Sequence, residues 1–309
     1  MNSAIAGDPE LAAVAAELRS RDSAVSRIGL VIRETFDQLY DGQRTGRYRW
    51  DQLFKTEKTH CGTLIEINLQ REFKFQDGQA LDYSIAGIDV DCKYSQELWG
   101  WMIPPEAINH LCLVLSALDN ASPTFSAGLV RIKPERLGAP NRDAKAKLNS
   151  TGREAVVWVF RDVPMPANVL LQLDQAVVDA ILNLRSGQKR VNQLFRLALG
   201  RIVGRGAIAT MAQQDDYMKR VRANGGARTA LQREGILILG QYKSHTAIAR
   251  ALRIPEPEPG DSISVRIVRT TRPGPGVAKI NGTFWRIAAA TDRIVKAPTL
   301  PKIRRTGDN

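Results

Sequence analysis

At Leu81 the apolar residues of this chain change period, and that change constrains the fold more than any other feature. Before it the spacing is helical. Asp8-Pro9-Glu10 sets an N-cap acceptor ahead of proline in the first turn, which predicts a helix to about Arg21. Helices are predicted again over 23–39 and over 59–73, the last with Leu64, Ile65 and Leu69 among its apolar positions. After Leu81, Ile88, Val90 and Cys92 alternate with Asp89, Asp91 and Lys93, the period of a strand with one charged face. Apolar runs at 111–118, 125–132 and 155–160 predict further strands, separated by Pro104-Pro105, by 137–140 and by a short helix near 142–148. The class is therefore α/β.

Val163-Pro164-Met165-Pro166 carries two prolines, which hold their neighbours in extended conformations. We place a linker at 163–168, between a first domain of residues 1–162 and a second of residues 169–309. The charge balance changes at the same place. Residues 1–165 carry 20 Lys+Arg against 22 Asp+Glu, net −2, and residues 166–309 carry 24 against 10, net +14. A basic excess confined to one half points to a polyanion partner for it, since Lys and Arg that neutralise phosphates release condensed counterions. Surface charge serving solubility is the plainer alternative. Helical patterning over 191–203, 207–213 and 215–222, the turn Asn224-Gly225-Gly226, and strands at 236–239 and 263–268 give helices in series followed by β structure. That order is compatible with a helix-turn-helix or winged-helix DNA-binding module.

Several classes are excluded. No apolar run approaches the ~20 residues of a membrane helix. Asp8 and Glu10 among alanines do not make a signal peptide, so a cytoplasmic location is expected. Cys61, Cys92 and Cys112 form no CxxC pair, and His60, His110 and His245 are dispersed, so neither structural zinc nor a disulfide framework is expected. Leu39-Tyr40-Asp41-Gly42 has the outline of the ligase KxDG motif with leucine in place of the nucleophilic lysine. Leucine cannot form a phosphoamide, which leaves a helix end and a turn.

Chemistry concentrates in the first half. Asp82, Asp91 and Lys93 have the order and spacing of the D…(D/E)xK signature of restriction nucleases. Residues two apart on a strand share a face, so Asp91 and Lys93 can converge on one phosphate while Cys92 points into the core. Hard carboxylate oxygens suit Mg2+, which polarises a phosphate and acidifies a water, and a lysine beside them can orient that water or stabilise the phosphorane. A solvated charged face is the competing reading, and Asp89 shares that face and is equally able to bind metal. Glu66 supports the catalytic reading, because an acid within Leu64-Ile65-Glu66-Ile67 is costly without a cation.

The segments Asp41-Gly42-Gln43-Arg44-Thr45-Gly46-Arg47, Lys55-Thr56-Glu57-Lys58-Thr59-His60, Glu66-Ile67-Asn68-Leu69 and Val90-Asp91-Cys92-Lys93 resemble, in order and spacing, the NaeI family of restriction endonucleases. The resemblance resumes in Val191-Asn192, Ala212-Gln213-Gln214-Asp215-Asp216, Met218-Lys219-Arg220-Val221-Arg222 and Gly225-Gly226-Ala227-Arg228. It implies a restriction-endonuclease-like domain, a mixed sheet flanked by helices, followed by a DNA-binding domain like that of the catabolite activator protein. Carried over by position, it implies catalytic and metal-binding carboxylates at Glu66, Asp82 and Asp91 and a catalytic lysine at Lys93. It further implies a Mg2+-dependent homodimer cutting a GC-rich palindrome, GCCGGC, in duplex DNA. Cleavage in this type IIE scheme is activated by a second DNA site bound to the C-terminal domain.

The candidates for DNA contact are Lys219, Arg220, Arg222 and Arg228, beside Tyr217 and the Gly225-Gly226 turn, together with Arg44 and Arg47 in the polar loop. Arginine suits bidentate guanine contacts and lysine suits phosphates. Solvated helix faces and intramolecular ion pairs are the alternatives. A non-catalytic DNA-binding regulator using only the basic half is the second functional hypothesis, and a nonspecific nuclease the third.

Overall fold

A computed structural model of the chain describes residues 7–301. These form two compact units, one of residues up to 39 with 49–167, the other of residues 40–48 with 168 onward. Two boundaries differ from those read in the sequence. Val163 and Pro164 end a strand, and Met165 is buried with its N–H on the Pro123 carbonyl at 3.0 Å, so most of the expected linker belongs to the first unit. Residues 40–48 fold with the second unit. Tyr48 is buried in that unit's core, and the short helix α3 (Gly42–Thr45) lies so close to the second unit's Thr210 that only a glycine fits at position 42.

In the first unit, α1 (Pro9–Ser20) starts on Asp8, whose Oδ1 accepts from the Leu11 N–H at 3.0 Å. It is followed by α2 (Ala24–Tyr40) and α4 (Lys55–Phe73), the latter burying Cys61, Ile65, Leu69 and Phe73 at a step of four. The strands are β1 (Gln76–Asp77), β2 (Tyr83–Ile85), β3 (Ile88–Ser95), β4 (Leu111–Leu118), β5 (Thr124–Arg131) and β6 (Val157–Pro164). They lie in sequence order in one sheet, antiparallel except where β3 runs parallel to β4. The sheet is thus mixed, as expected. β4 is buried on both faces, which explains why its run is apolar at every position but Ser116. Leu113 and Leu115 join Leu18, Ile28, Leu69 and Phe73 around a small apolar void, whereas Cys112 and Val114 pack with Trp101, Ile103, Leu148 and Val156.

The helix expected near 142–148 does not form. Asn141 Oδ1 accepts from the N–H groups of Asp143 and Lys145 at 2.9 and 3.0 Å, and Ala144 takes a φ of 57°, so a local side-chain turn replaces the helix. The helical segment comes later, as α5 (Ser150–Glu154), capped by Asn149.

The second unit adds α6 (Gln175–Leu182), α7 (Gly187–Leu197), β7 (Ile202–Val203), α8 (Arg205–Ala212), α9 (Ala227–Ala230), β8 (Ile236–Gly240), α10 (Lys243–Leu252), β9 (Ser262–Thr270), β10 (Val277–Ile280) and β11 (Thr283–Ile287). β9 is central, pairing with β7, β8 and β11, and β10 pairs outside β11. The helix expected over 191–203 stops at Leu197 because Gly200, at φ 75°, turns the chain into β7. Asp215 to Arg222 makes only a 3-10 turn at Tyr217–Arg220. β8 divides two cores. Ile236 and Ile238 pack with Val191, Leu194, Phe195 and Met211, while Leu237 and Leu239 pack with Ile248, Leu252, Val265 and Trp285. α6, α10 and the β10–β11 hairpin were not anticipated from the sequence. Among the described residues no helix is long and apolar enough to cross a membrane.

Candidate active site

The site is built where β3 meets the β2–β3 hairpin and α4. On β3, Lys93 Nζ lies 2.7 Å from Asp91 Oδ1, as expected for residues sharing a strand face. Asp82 precedes β2, which pairs with β3 at Tyr83 opposite Val90, so Asp82 comes opposite Asp91. Its Oδ2 accepts the Cys92 N–H at 2.7 Å and lies 3.5 Å from Lys93 Nζ. Glu66 arrives from α4, and the Tyr83 hydroxyl donates to the Glu66 carbonyl at 2.7 Å, tying helix to hairpin. The four residues singled out in the sequence are therefore brought together.

Burial gives the cluster its electrostatics. Asp91 is 2% exposed, which a solvated charged face would not allow. Its second oxygen has the Cys112 thiol at 3.5 Å, from the residue directly across on β4. Desolvation pushes its carboxyl up to about 6 against the opposing pull of Lys93. Glu66 is pushed up to about 7, first by desolvation and then by the Asp82 and Asp91 charges, with Lys93 opposing. Desolvation works against the Lys93 ammonium, but Asp91 and Asp82 outweigh it and hold the group above its usual range. Two aspartates thus flank one ammonium, with Glu66 within the field of all three, and Asp91 and Glu66 ionise reluctantly. The arrangement is short of positive charge.

Asp89 does not join them. Its carboxylate accepts from the N–H groups of Gln79 and Ala80 at 2.9–3.1 Å, and these bonds hold it below the usual carboxylate range. Cys112 and Tyr83 were missed in the sequence, where nothing marks a buried thiol or an internal tyrosine as a neighbour of the site.

All six basic candidates lie in the second unit, including Arg44 and Arg47, which the sequence placed with the first domain. The Arg44 side chain is 83% exposed, with Asp41 at 3.9 Å. Arg47 Nε donates to the Tyr40 carbonyl at 3.2 Å and Thr45 Oγ1 at 3.3 Å. Lys219 is outward and paired with Asp216 at 2.6 Å, and Arg222 is exposed. Arg220 donates to Gln214 Oε1 at 2.5 Å. Arg228 donates to the Ile238 carbonyl at 3.1 Å, and burial lowers its pKa. Arg44, Lys219 and Arg222 thus present charge to solvent, whereas Arg220 and Arg228 are engaged internally. His245 is structural, its Nδ1 accepting the Gly240 N–H at 3.1 Å while burial holds it at about 4.

The model of the restriction endonuclease NaeI family matches residues 12–296 of this chain. The type II restriction enzyme NaeI of Lentzea aerocolonigenes is 48% identical over 303 residues, covering 96% of this chain and 95% of that protein. With the acid–lysine cluster on its mixed sheet and a match that runs nearly end to end, the chain belongs to the NaeI family of restriction endonucleases.

Proposed function

We propose that this endonuclease hydrolyses phosphodiester bonds of double-stranded DNA with Mg2+ at the Glu66, Asp82, Asp91 and Lys93 cluster. The observation that carries the reading is Lys93 Nζ held between Asp91 and Asp82, near a Glu66 carboxyl that desolvation pushes up to about 7. Type II restriction enzymes generally use Mg2+. The donor set fits it. Mg2+ takes oxygen ligands, usually one or two carboxylates with water and phosphate completing the shell. Among the described residues no three acids, histidines or cysteines already close on one point, and that chemistry does not require them to. Asp82 and Asp91, with Glu66, would hold the ion. When bound it supplies Lewis-acid polarisation of the phosphate and a more acidic water. Lys93, kept protonated by its aspartates, acts as a donor that orients the water and stabilises the charge developing on the phosphorane, rather than as a base.

The second unit is the proposed effector domain, with a helix-turn-helix or winged-helix reading of α7, α8 and the strands after them. Its support is the net +14 of residues 166–309 and the six basic candidates gathered there. The family relationship supports a homodimer, a GC-rich palindrome such as GCCGGC, and activation by a second DNA site.

Plasmid cleavage with Mg2+ and with EDTA, followed by mapping of the ends, tests the reading. Discrete Mg2+-dependent fragments are expected, and smears or metal-independent cutting would overturn it. Lys93→Ala should bind DNA in a mobility-shift assay while cutting about 10²–10³-fold more slowly, the usual loss on removing one transition-state donor. Cleavage at the wild-type rate would remove Lys93 from the mechanism. Binding without cutting by the unmodified protein would favour a regulator. Short cognate duplex should accelerate cleavage of a single-site plasmid, and no acceleration would refute the two-site scheme.

A further inference from the structure

We infer that Asp89 is a positioning residue for Asp82, folding the loop before β2 back onto β3 so that the Asp82 carboxylate stands beside Asp91 and Lys93. The inference rests on the reading of Asp82 as part of the active site. Asp82 lies outside any strand, so no ladder hydrogen bond of its own fixes it. Asp89 supplies the constraint. Its Oδ1 accepts from Gln79 N at 3.0 Å, and its Oδ2 from Gln79 N at 3.1 Å and Ala80 N at 2.9 Å. The loop returns the bond from its other end, where Asp82 Oδ2 accepts the Cys92 N–H at 2.7 Å.

Two clamps of opposite polarity thus sit on either side of Leu81. In one, a strand side chain takes loop amides, and in the other a loop side chain takes a strand amide. A charged acceptor makes such bonds stronger than neutral ones. The loop they close is tight, since a Cβ added at Gly78 would run into the Leu81 carbonyl. Asp89 sits on the same strand face as Asp91, which makes it resemble another metal ligand in the sequence. Both its oxygens are spent on backbone amides instead.

The test compares full-length wild type with Asp89→Ala, Asp89→Asn and Asp82→Ala. Asp89→Ala should lose about 10–100-fold in cleavage, the usual effect of removing a group that orients a ligand, through kcat and a higher Mg2+ requirement, with unchanged DNA affinity. Asparagine can place its one oxygen where Oδ2 stands and accept from both amides, but its Nδ2 then faces the Gln79 N–H that Oδ1 had accepted, so Asp89→Asn should recover part of the activity lost in Asp89→Ala. In metal-free protein, hydrogen exchange should accelerate in peptides covering 78–82 of Asp89→Ala and stay unchanged across β4 and β5. Wild-type cleavage and exchange in Asp89→Ala would overturn the inference. So would exchange that rises throughout the sheet with no rescue by asparagine, since that describes general stability. Wild-type cleavage by Asp82→Ala would instead overturn the reading of the active site.

Discussion

Replacing Glu66 with glutamine should stabilise the metal-free protein at alkaline pH while removing cleavage. Its carboxyl is raised from 4.5 to about 7 in the folded protein, chiefly by desolvation. Below pH 4.5 the folded and unfolded chains both hold the proton, and the group contributes nothing. Between 4.5 and 7 the unfolded chain releases it while the folded chain keeps it, so stability falls as pH rises, and above 7 the penalty is complete. At 1.36 kcal/mol per pH unit the penalty approaches about 3 kcal/mol. Solvent reaches about half of the group, and screening reduces the figure to about 1–2 kcal/mol. Glutamine keeps the volume without the charge. In EDTA at pH 8, Glu66→Gln should therefore melt about 2–8 °C higher than wild type. At pH 5 the gain should shrink to about a quarter. Asp91, raised to about 6, acts in the same direction in both proteins, so the difference reports Glu66 together with its repulsion from Asp91 and Asp82. Mg2+ should raise the wild-type midpoint more than that of the variant, since a ligand stabilises in proportion to its occupancy of the folded state. The measurement is a set of thermal melts from pH 5 to 8.5. A variant no more stable than wild type at pH 8, or equally favoured at pH 5, would refute the electrostatic account of the site.

Gly42→Ala should destabilise the second unit by about 1–3 kcal/mol, the usual cost of overpacking. The new methyl group would collide with Thr210 Oγ1 and lie 2.8 Å from the Arg47 carbonyl. An unchanged denaturation midpoint would show that residues 40–48 do not pack as described. Arg222→Ala, at an exposed position, should lower the slope of log K against log salt by about 0.9 for DNA binding. An unchanged slope would mean that Arg222 meets no phosphate.

Much of the fold was legible because it depends on local periodicity. The nearly continuous apolar run of β4 and the alternation of β3 each follow from which side chains one strand presents to which face. Asp91 and Lys93 could be placed on one face for the same reason, and the basic excess of the second half needed only counting. Local turn chemistry was harder to see, as Asn141 shows by taking two backbone amides and displacing an expected helix. The two-residue step of β3 put Asp89 and Asp91 on equal terms as metal ligands. The resemblance favoured Asp91, and tertiary structure gave the physical reason, by setting the amides of Gln79 and Ala80 against one and Lys93 and Cys112 against the other.

The sequence by itself determined the long periodic elements of the first unit, which residues share a face of β3 and where the charge lies, because those follow from backbone geometry and composition over a few residues. Tertiary structure alone decided that residues 40–48 fold with the second unit, that Asp91 is buried and that Glu66 ionises only near pH 7. Desolvation and charge coupling are set by groups that meet through space, and Glu66 and Cys112 reach Asp91 only once α4 and β4 have packed against β3.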